Sequence, residues 1–214
     1  MPKKFFTKRN LTYIAIGSFL LILFYIFSFL VKEDVFKGFD FDMTVRIQGH
    51  VPLRLDPILS WFSLLGSFEV TVVILIIYAL IRRKLGGFII VGMFCLMHVV
   101  EIIGKAFLDH PGTPFMFHRY ALDFVFPTGY VQPGGSYPSG HSMRSTFLTI
   151  VFLDVIWHSK KLSMPVKVGL TGFILLILII MVISRVSLGE HWTSDIIGGA
   201  LLGGAFALFS LIFV

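Results

Sequence analysis

The chain holds a single cysteine, Cys95, in 214 residues. One thiol closes no internal disulfide and builds no Cys-based metal site, and within its apolar run it reads as a packing residue. Charge is short as well. Asp, Glu, Lys and Arg make up 14% of the chain, where a soluble domain carries about 25%. Negative charge is the scarcer sign, with 12 acidic residues against 18 basic ones. From Leu11 to Val31 no charged residue occurs at all. These shortages exclude a soluble enzyme and a disulfide-stapled secreted domain. Because the basic residues stand in clusters between apolar runs, they also argue against a nucleic-acid partner.

What the chain does have is hydrophobic length, with 56% of its residues apolar. At 1.5 Å of rise per residue, about 20 apolar residues cross a bilayer as a helix. Six runs meet that need, near residues 11–31, 57–81, 85–108, 141–157, 165–183 and 193–214. The expected fold is all-α, a polytopic membrane protein of six transmembrane helices forming one membrane-embedded domain over residues 1–214. The first run is followed by charged sequence without a small-residue cleavage pattern, so it reads as a retained anchor. Between the first two spans, residues 32–56 interleave Phe36, Phe39, Phe41, Met43, Val45 and Ile47 with Lys37, Asp40, Asp42 and Arg46. That mixture reads as an amphipathic interfacial segment. Residues 109–140 form the longest polar connection, rich in Pro, Gly and aromatic residues such as Phe115, Phe124, Tyr130 and Tyr137. Gly198, Gly199, Gly203 and Gly204 give the last span a surface for close helix packing.

Six spans put both termini and the loops at 82–84 and 158–167 on one side. That side collects Lys3, Lys4, Lys8, Arg9, Arg82, Arg83, Lys84, Lys160, Lys161 and Lys167 without an acidic residue. The positive-inside rule makes it cytoplasmic. Lys105, His141, Arg185 and His191 then lie together at the opposite, extracytoplasmic face.

These residues carry the chemistry. His191 and Asp195, four apart at the start of the last span, share a helix face. A carboxylate that accepts a hydrogen bond from one ring nitrogen leaves the other free as a nucleophile. Arg185, at the outer end of the fifth span, can hold phosphate oxygens with two donors at once. Ser139 and Gly140 open the fourth span, where free N–H groups and the helix dipole suit an anion, and His141 follows as a proton donor. Lys105 ends the third span with Glu101 one turn deeper. Taken singly, each has a plainer reading: a His–Asp helix cap, a snorkelling Arg or Lys, a Ser N-cap beside an interfacial His. Their convergence on one face favours the chemical reading. Glu69, His98 and Asp154 also lie in apolar runs, where ionisable groups usually turn inward to a partner. Glu69 reads as a structural hydrogen-bond acceptor, and Asp154 as remote from the chemistry.

Pro138-Ser139-Gly140-His141 and Ser184-Arg185 with His191 and Asp195 resemble the second and third signatures of the type 2 phosphatidic acid phosphatase family. The family's first signature is Lys, six residues, Arg-Pro. Here Lys105 matches it, but Gly112-Thr113 stand where Arg-Pro is expected. The motif-bearing stretch is 105–195. The resemblance implies an integral membrane lipid phosphatase with His191 as nucleophile, Asp195 orienting it and His141 as proton donor. Lys105, Ser139, Gly140 and Arg185 would then hold the phosphate oxygens, with no metal and no cofactor. Three residues could replace the missing arginine: His110, Arg119 or Arg144. Arg144, three residues after His141 on the same helix face, ranks first.

The partners implied are the bilayer and a membrane lipid phosphate: undecaprenyl diphosphate, phosphatidylglycerol phosphate or phosphatidic acid, with a lean toward the prenyl diphosphate. The aromatic loop from Phe115 to Tyr137 is a candidate headgroup lid or membrane rim. A lipid phosphotransferase using the same histidine and a non-catalytic lipid-binding or transport relative are the alternatives. A soluble haloperoxidase relative is disfavoured by the spans.

Overall fold

The structure, a computed structural model, describes residues 7–124, 126–130 and 135–214. Lys3 and Lys4 of the amino-terminal basic cluster lie outside the described residues, as does the side chain of Tyr130. Among the described residues all regular structure is helical. The helices are α1 (Lys8–Lys32), α2 (Lys37–His50), α3 (Asp56–Ser63), α4 (Phe68–Arg82), α5 (Leu85–Phe107), α6 (Gly140–His158), α7 (Met164–Ser187) and α8 (Thr193–Leu211). Hydroxyl caps set several of the starts. Thr7 Oγ1 accepts from Asn10 N at 3.2 Å to open α1, and Ser67 Oγ accepts from Val70 N at 3.4 Å to open α4. Each satisfies an amide that has no partner within its own helix.

Four helices, α1, α5, α7 and α8, are each long and apolar enough to cross a membrane. The second predicted span, 57–81, is not one continuous helix. It breaks at Gly66-Ser67 into two arms bent by 47°, which count as a fifth crossing if taken together. The cause is local: Ser67 is extended (φ −66, ψ 157) so that it can cap α4. The Gly66 carbonyl, left outside the helix ladder, accepts from Arg144 Nε at 2.7 Å. More polar than the others, α6 is not among the apolar helices.

The most buried of the long apolar helices is α8, and α1, α5 and α6 pack around it. Its glycines allow the approach of α6: a Cβ on Gly199 would collide with Ser139 O, and one on Gly203 with Met143 O. In contrast, α7 leaves most of its length exposed and is buried only near its end, at Met181 and from Ser184 to Ser187. Phe19, Ile22 and Phe29 on α1, Ile77 and Ile81 on α4, and Phe173 on α7 all face outward. An apolar exterior of this extent suits lipid rather than water. Cys95 belongs to it: expected as a packing residue, it is exposed on α5, because its position on the helix lies between the buried Phe94 and Met97 rather than in line with them.

The two ends of the bundle differ. At one, Arg9 Nη2 donates to Val214 O at 3.1 Å and Tyr13 OH to Asp154 Oδ1 at 2.8 Å, so Asp154 lies where α1 begins and α6 ends. At the other, the end of α5 and of α7 meets the start of α6 and of α8, with Ser139 N donating to Asp195 O at 3.0 Å. The stretch between the first two spans is helical over α2, and one face of it is buried in protein. Asp40 accepts from Ser194 N at 2.8 Å and from Ser194 Oγ at 2.6 Å, which caps α8 from outside its own chain segment. Gln48 Nε2 donates to Phe117 O at 2.6 Å and to Ser187 O at 3.0 Å. Asp40→Ala is expected to lower the unfolding free energy in detergent by about 1–2 kcal/mol, the cost of a lost helix cap. Thermal unfolding followed by circular dichroism checks this, and an unchanged midpoint would show that the cap contributes nothing.

Candidate active site

The turn from Leu188 to Trp192 joins α7 to α8 and carries His191 back over the start of α8. His191 Nδ1 lies 3.3 Å from Asp195 Oδ2, and the same oxygen accepts from Trp192 N at 2.9 Å. The carboxylate therefore both caps its own helix and fixes the imidazole, with Nε2 on the ring edge away from it. Burial disfavours the charged imidazole, and the cations Arg185 and Lys105 oppose it too. Together these outweigh the Asp195 carboxylate, and the His191 pKa falls below its ordinary value. The ring is therefore held neutral, the form in which it can attack.

Arg185 sits in the last turn of α7, 1% exposed. One of its nitrogens, Nη2, forms an ion pair with Glu190. Its Nε and Nη1 have no hydrogen-bond partner among the described residues. Beside it opens a cavity of about 110 Å³ whose wall includes His141, Arg144, Arg185 and Glu190, with Phe68 and Phe126. A buried guanidinium with open donors at a cavity wall is suited to taking an anion.

Around it the other cations are held in place. Glu101 is buried and binds Lys105 Nζ at 3.1 Å, His98 Nδ1 at 2.7 Å and Arg144 Nη1 at 3.7 Å. Arg144 Nη2 reaches within 3.5 Å of His141 Nδ1. His141 lies within electrostatic reach of Arg185, Arg144, His191 and Lys105. Ser139 Oγ accepts from Ser142 N at 3.4 Å and so caps α6. At Gly140 the space a Cβ would fill is taken by Glu101 Oε1 and by the Arg144 guanidinium, so only glycine lets that pair lie against the helix start. Lys105, Ser139, Gly140, His191 and Asp195 do not themselves line the cavity.

The structure separates the three stand-ins for the missing arginine. Arg119 is bound to Asp56, with Nε on Oδ2 at 2.9 Å and Nη2 on Oδ1 at 2.8 Å, and its Nη1 donates to Gln48 O at 3.1 Å. It ties the long loop to α2 and α3. His110 turns to Asp195, with Nδ1 3.1 Å from Oδ1. Arg144 alone of the three borders the cavity. Glu69 accepts from Thr128 N at 2.9 Å and so holds the loop over the cavity. Sequence reasoning did not foresee that Glu190 would pair with Arg185 or that His110 would share Asp195. For Glu190 a signal existed, an acid five residues after Arg185 within one short turn.

A carboxylate-oriented histidine, a second histidine beside a cavity with a buried guanidinium on its wall, and three buried cations are together suited to phosphoryl transfer. Comparison with known proteins gives the same class. The chain is 26% identical over 200 residues to an undecaprenyl-diphosphatase of Sulfolobus acidocaldarius, covering 90% of this chain and 88% of that one. Its fold matches the transmembrane PAP2-type phosphatidylglycerolphosphate phosphatase of Bacillus subtilis with a TM-score of 0.72 at 20% identity, over 92% and 93% of the two chains. It also matches LpxE of Aquifex aeolicus, with a TM-score of 0.60 at 21% identity over 81% and 94%. The family model for the PAP2 superfamily matches residues 84–214, most of the chain and all of the site from Lys105 to Asp195, and the protein belongs to that superfamily of membrane lipid phosphatases.

Proposed function

We propose that the protein hydrolyses the phosphomonoester or diphosphate of a membrane lipid through a phosphohistidine on His191. The observation that carries this reading is the buried Arg185, with two donors unpartnered among the described residues, at the wall of a cavity that it shares with His141. His191 Nε2 attacks phosphorus in line while Asp195 holds the opposite nitrogen. The bond from that phosphorus to the leaving oxygen breaks, that oxygen belonging to the lipid alkoxide of a monoester or the lipid phosphate of a diphosphate, and His141 gives it its proton. Water, deprotonated by His141, then displaces phosphate from His191. Arg185, Lys105, Arg144, the Ser139 hydroxyl and the Gly140 N–H stabilise the charge that develops on the nonbridging oxygens. These cations make a metal unnecessary in this scheme.

The substrate favoured is a prenyl diphosphate such as undecaprenyl diphosphate, on the strength of the relative that matches nearly the whole chain. The membrane arrangement proposed has six crossings, the bent α3–α4 pair and α6 included, with α2 at the boundary and the site on the extracytoplasmic side. The basic residues Arg9, Arg82, Arg83, Lys84, Lys160 and Lys161 would mark the cytoplasmic side.

The test is phosphate release by the purified protein in detergent with chelator present, comparing undecaprenyl diphosphate, phosphatidylglycerol phosphate and phosphatidic acid. Release from the first at the highest kcat/KM is expected. No release from any of the three would end the hydrolase reading. Arg144→Ala is expected to lower kcat/KM by about 10- to 100-fold, the worth of one charged hydrogen bond. Unchanged kcat and KM would show that Arg144 does not replace the missing arginine.

A further inference from the structure

Both oxygens of Asp195 are shared between histidines. Oδ2 faces His191 Nδ1 at 3.3 Å. Oδ1 faces His110 Nδ1 at 3.1 Å and accepts from Ser136 Oγ at 3.3 Å. His110 is fixed where it stands. Its carbonyl accepts from Ser136 N at 2.9 Å, and its ring meets Tyr137 edge-on at 6.3 Å. The carboxylate is fully buried, and the two imidazoles, Ser136 and the Trp192 N–H are the groups that meet it. Nothing in the scheme above uses His110.

Resting on the reading of His191 as nucleophile, we propose that His110 is a positioning residue for the reaction. Held on Asp195 as a cation, it pins the carboxylate and takes up part of its charge, so that His191 stays neutral and aimed at phosphorus. The surroundings support that protonation state. Burial opposes the charged ring, but the hydrogen bond to Asp195 and the carboxylates of Asp195, Asp40 and Asp34 outweigh it, and the His110 pKa rises above its ordinary value. The charged groups facing His110 thus come from α8, from α2 and from the turn after α1. Those facing His191 are Asp195, Arg185 and Lys105, with His141 nearby. With His110 charged, Asp195 attracts a proton to His191 less strongly. Removing that charge leaves the full carboxylate facing His191 and raises the pH at which His191 is protonated.

His110→Gln keeps a hydrogen-bond donor and loses the charge. It is expected to lower kcat by about 10- to 100-fold with little change in KM, the range for partners that orient metal-bound histidines from behind. The acidic limb of kcat/KM against pH is expected to move up by about one pH unit. His110→Ala should show the same shift with a larger loss. Two results overturn the proposal: kcat and the limb of His110→Gln both unchanged, or activity lost with the limb unmoved and the unfolding temperature lowered, which marks a packing role. His191→Ala is measured alongside. Release that survives in His191→Ala removes the nucleophile reading and this proposal with it, whereas an inactive His191→Ala beside an unaltered His110→Gln removes only the role of His110.

Discussion

His191→Ala is expected to release phosphate about 10⁴- to 10⁶-fold more slowly than the wild-type enzyme, the loss typical when a covalent nucleophile is removed. At the lower bound this is about 5 kcal/mol of transition-state stabilisation. Asp195 is buried and engaged on both oxygens, so the one ring nitrogen of His191 left open is the one facing away from it. Alanine removes that nitrogen, and the residual rate is what the cations and His141 contribute by holding substrate and water together. A rapid quench with labelled substrate separates this from a general collapse. The wild-type enzyme should yield an acid-labile, base-stable phosphoenzyme, and His191→Ala none. A phosphoenzyme still formed by His191→Ala would place the covalent step on another residue.

Arg185→Ala should cost about 10²- to 10³-fold in kcat/KM, or about 3–4 kcal/mol, as when one preorganised donor to a developing oxyanion is lost. Stability should change far less. Removing Arg185 takes away a group whose Nε and Nη1 have no partner among the described residues, while Glu190, which pairs with it, is part-exposed and can turn to water. Activity and unfolding temperature therefore separate, which an Arg serving only to bind Glu190 would not allow. Arg185→Lys should recover part of the loss, since an ammonium restores charge without the planar fork. A stable Arg185→Ala enzyme with normal kcat/KM would show that the open donors are not where the phosphoryl group binds.

The sequence makes the long apolar helices and the residues at their ends legible because both are local patterns. An uncharged run of bilayer length specifies α1 whatever surrounds it, and a histidine four residues before an aspartate at a helix start is a pair by helix geometry alone. The break at Gly66-Ser67 was also written locally, as a glycine followed by an N-capping serine, but the apolar residues on both sides hid it. Other features depend on contacts that no window of sequence contains. His110 and Asp195 are 85 residues apart, and Arg119 and Asp56 are 63 apart. Helix spacing from His141 ranks Arg144 ahead of His110 and Arg119, but it does not say where the three side chains go. What separates them is that Arg144 alone of the three borders the cavity, and burial and partners are properties of the folded chain. The mixed composition of α2 marks an interfacial segment but not its contacts, and one buried carboxylate, Asp40 on Ser194, reveals what the segment holds in place.

That carboxylate lies outside the stretch matched by the family model, which begins at residue 84. So do Gln48, which holds the end of α7 through Ser187 O, and Gly66, whose carbonyl holds Arg144. The reactive residues therefore cannot be transplanted as a cassette. A chimaera that joins residues 84–214 to another protein's leading helices would carry every motif intact, yet it would inherit a foreign anchor at three points: the start of α8, the end of α7 and the guanidinium beside His141. Such hybrids would differ in activity according to whether the donor's first helices supply an acid, an amide and a helix break at matching heights, and the boundary between exchangeable parts would fall outside the recognisable family segment.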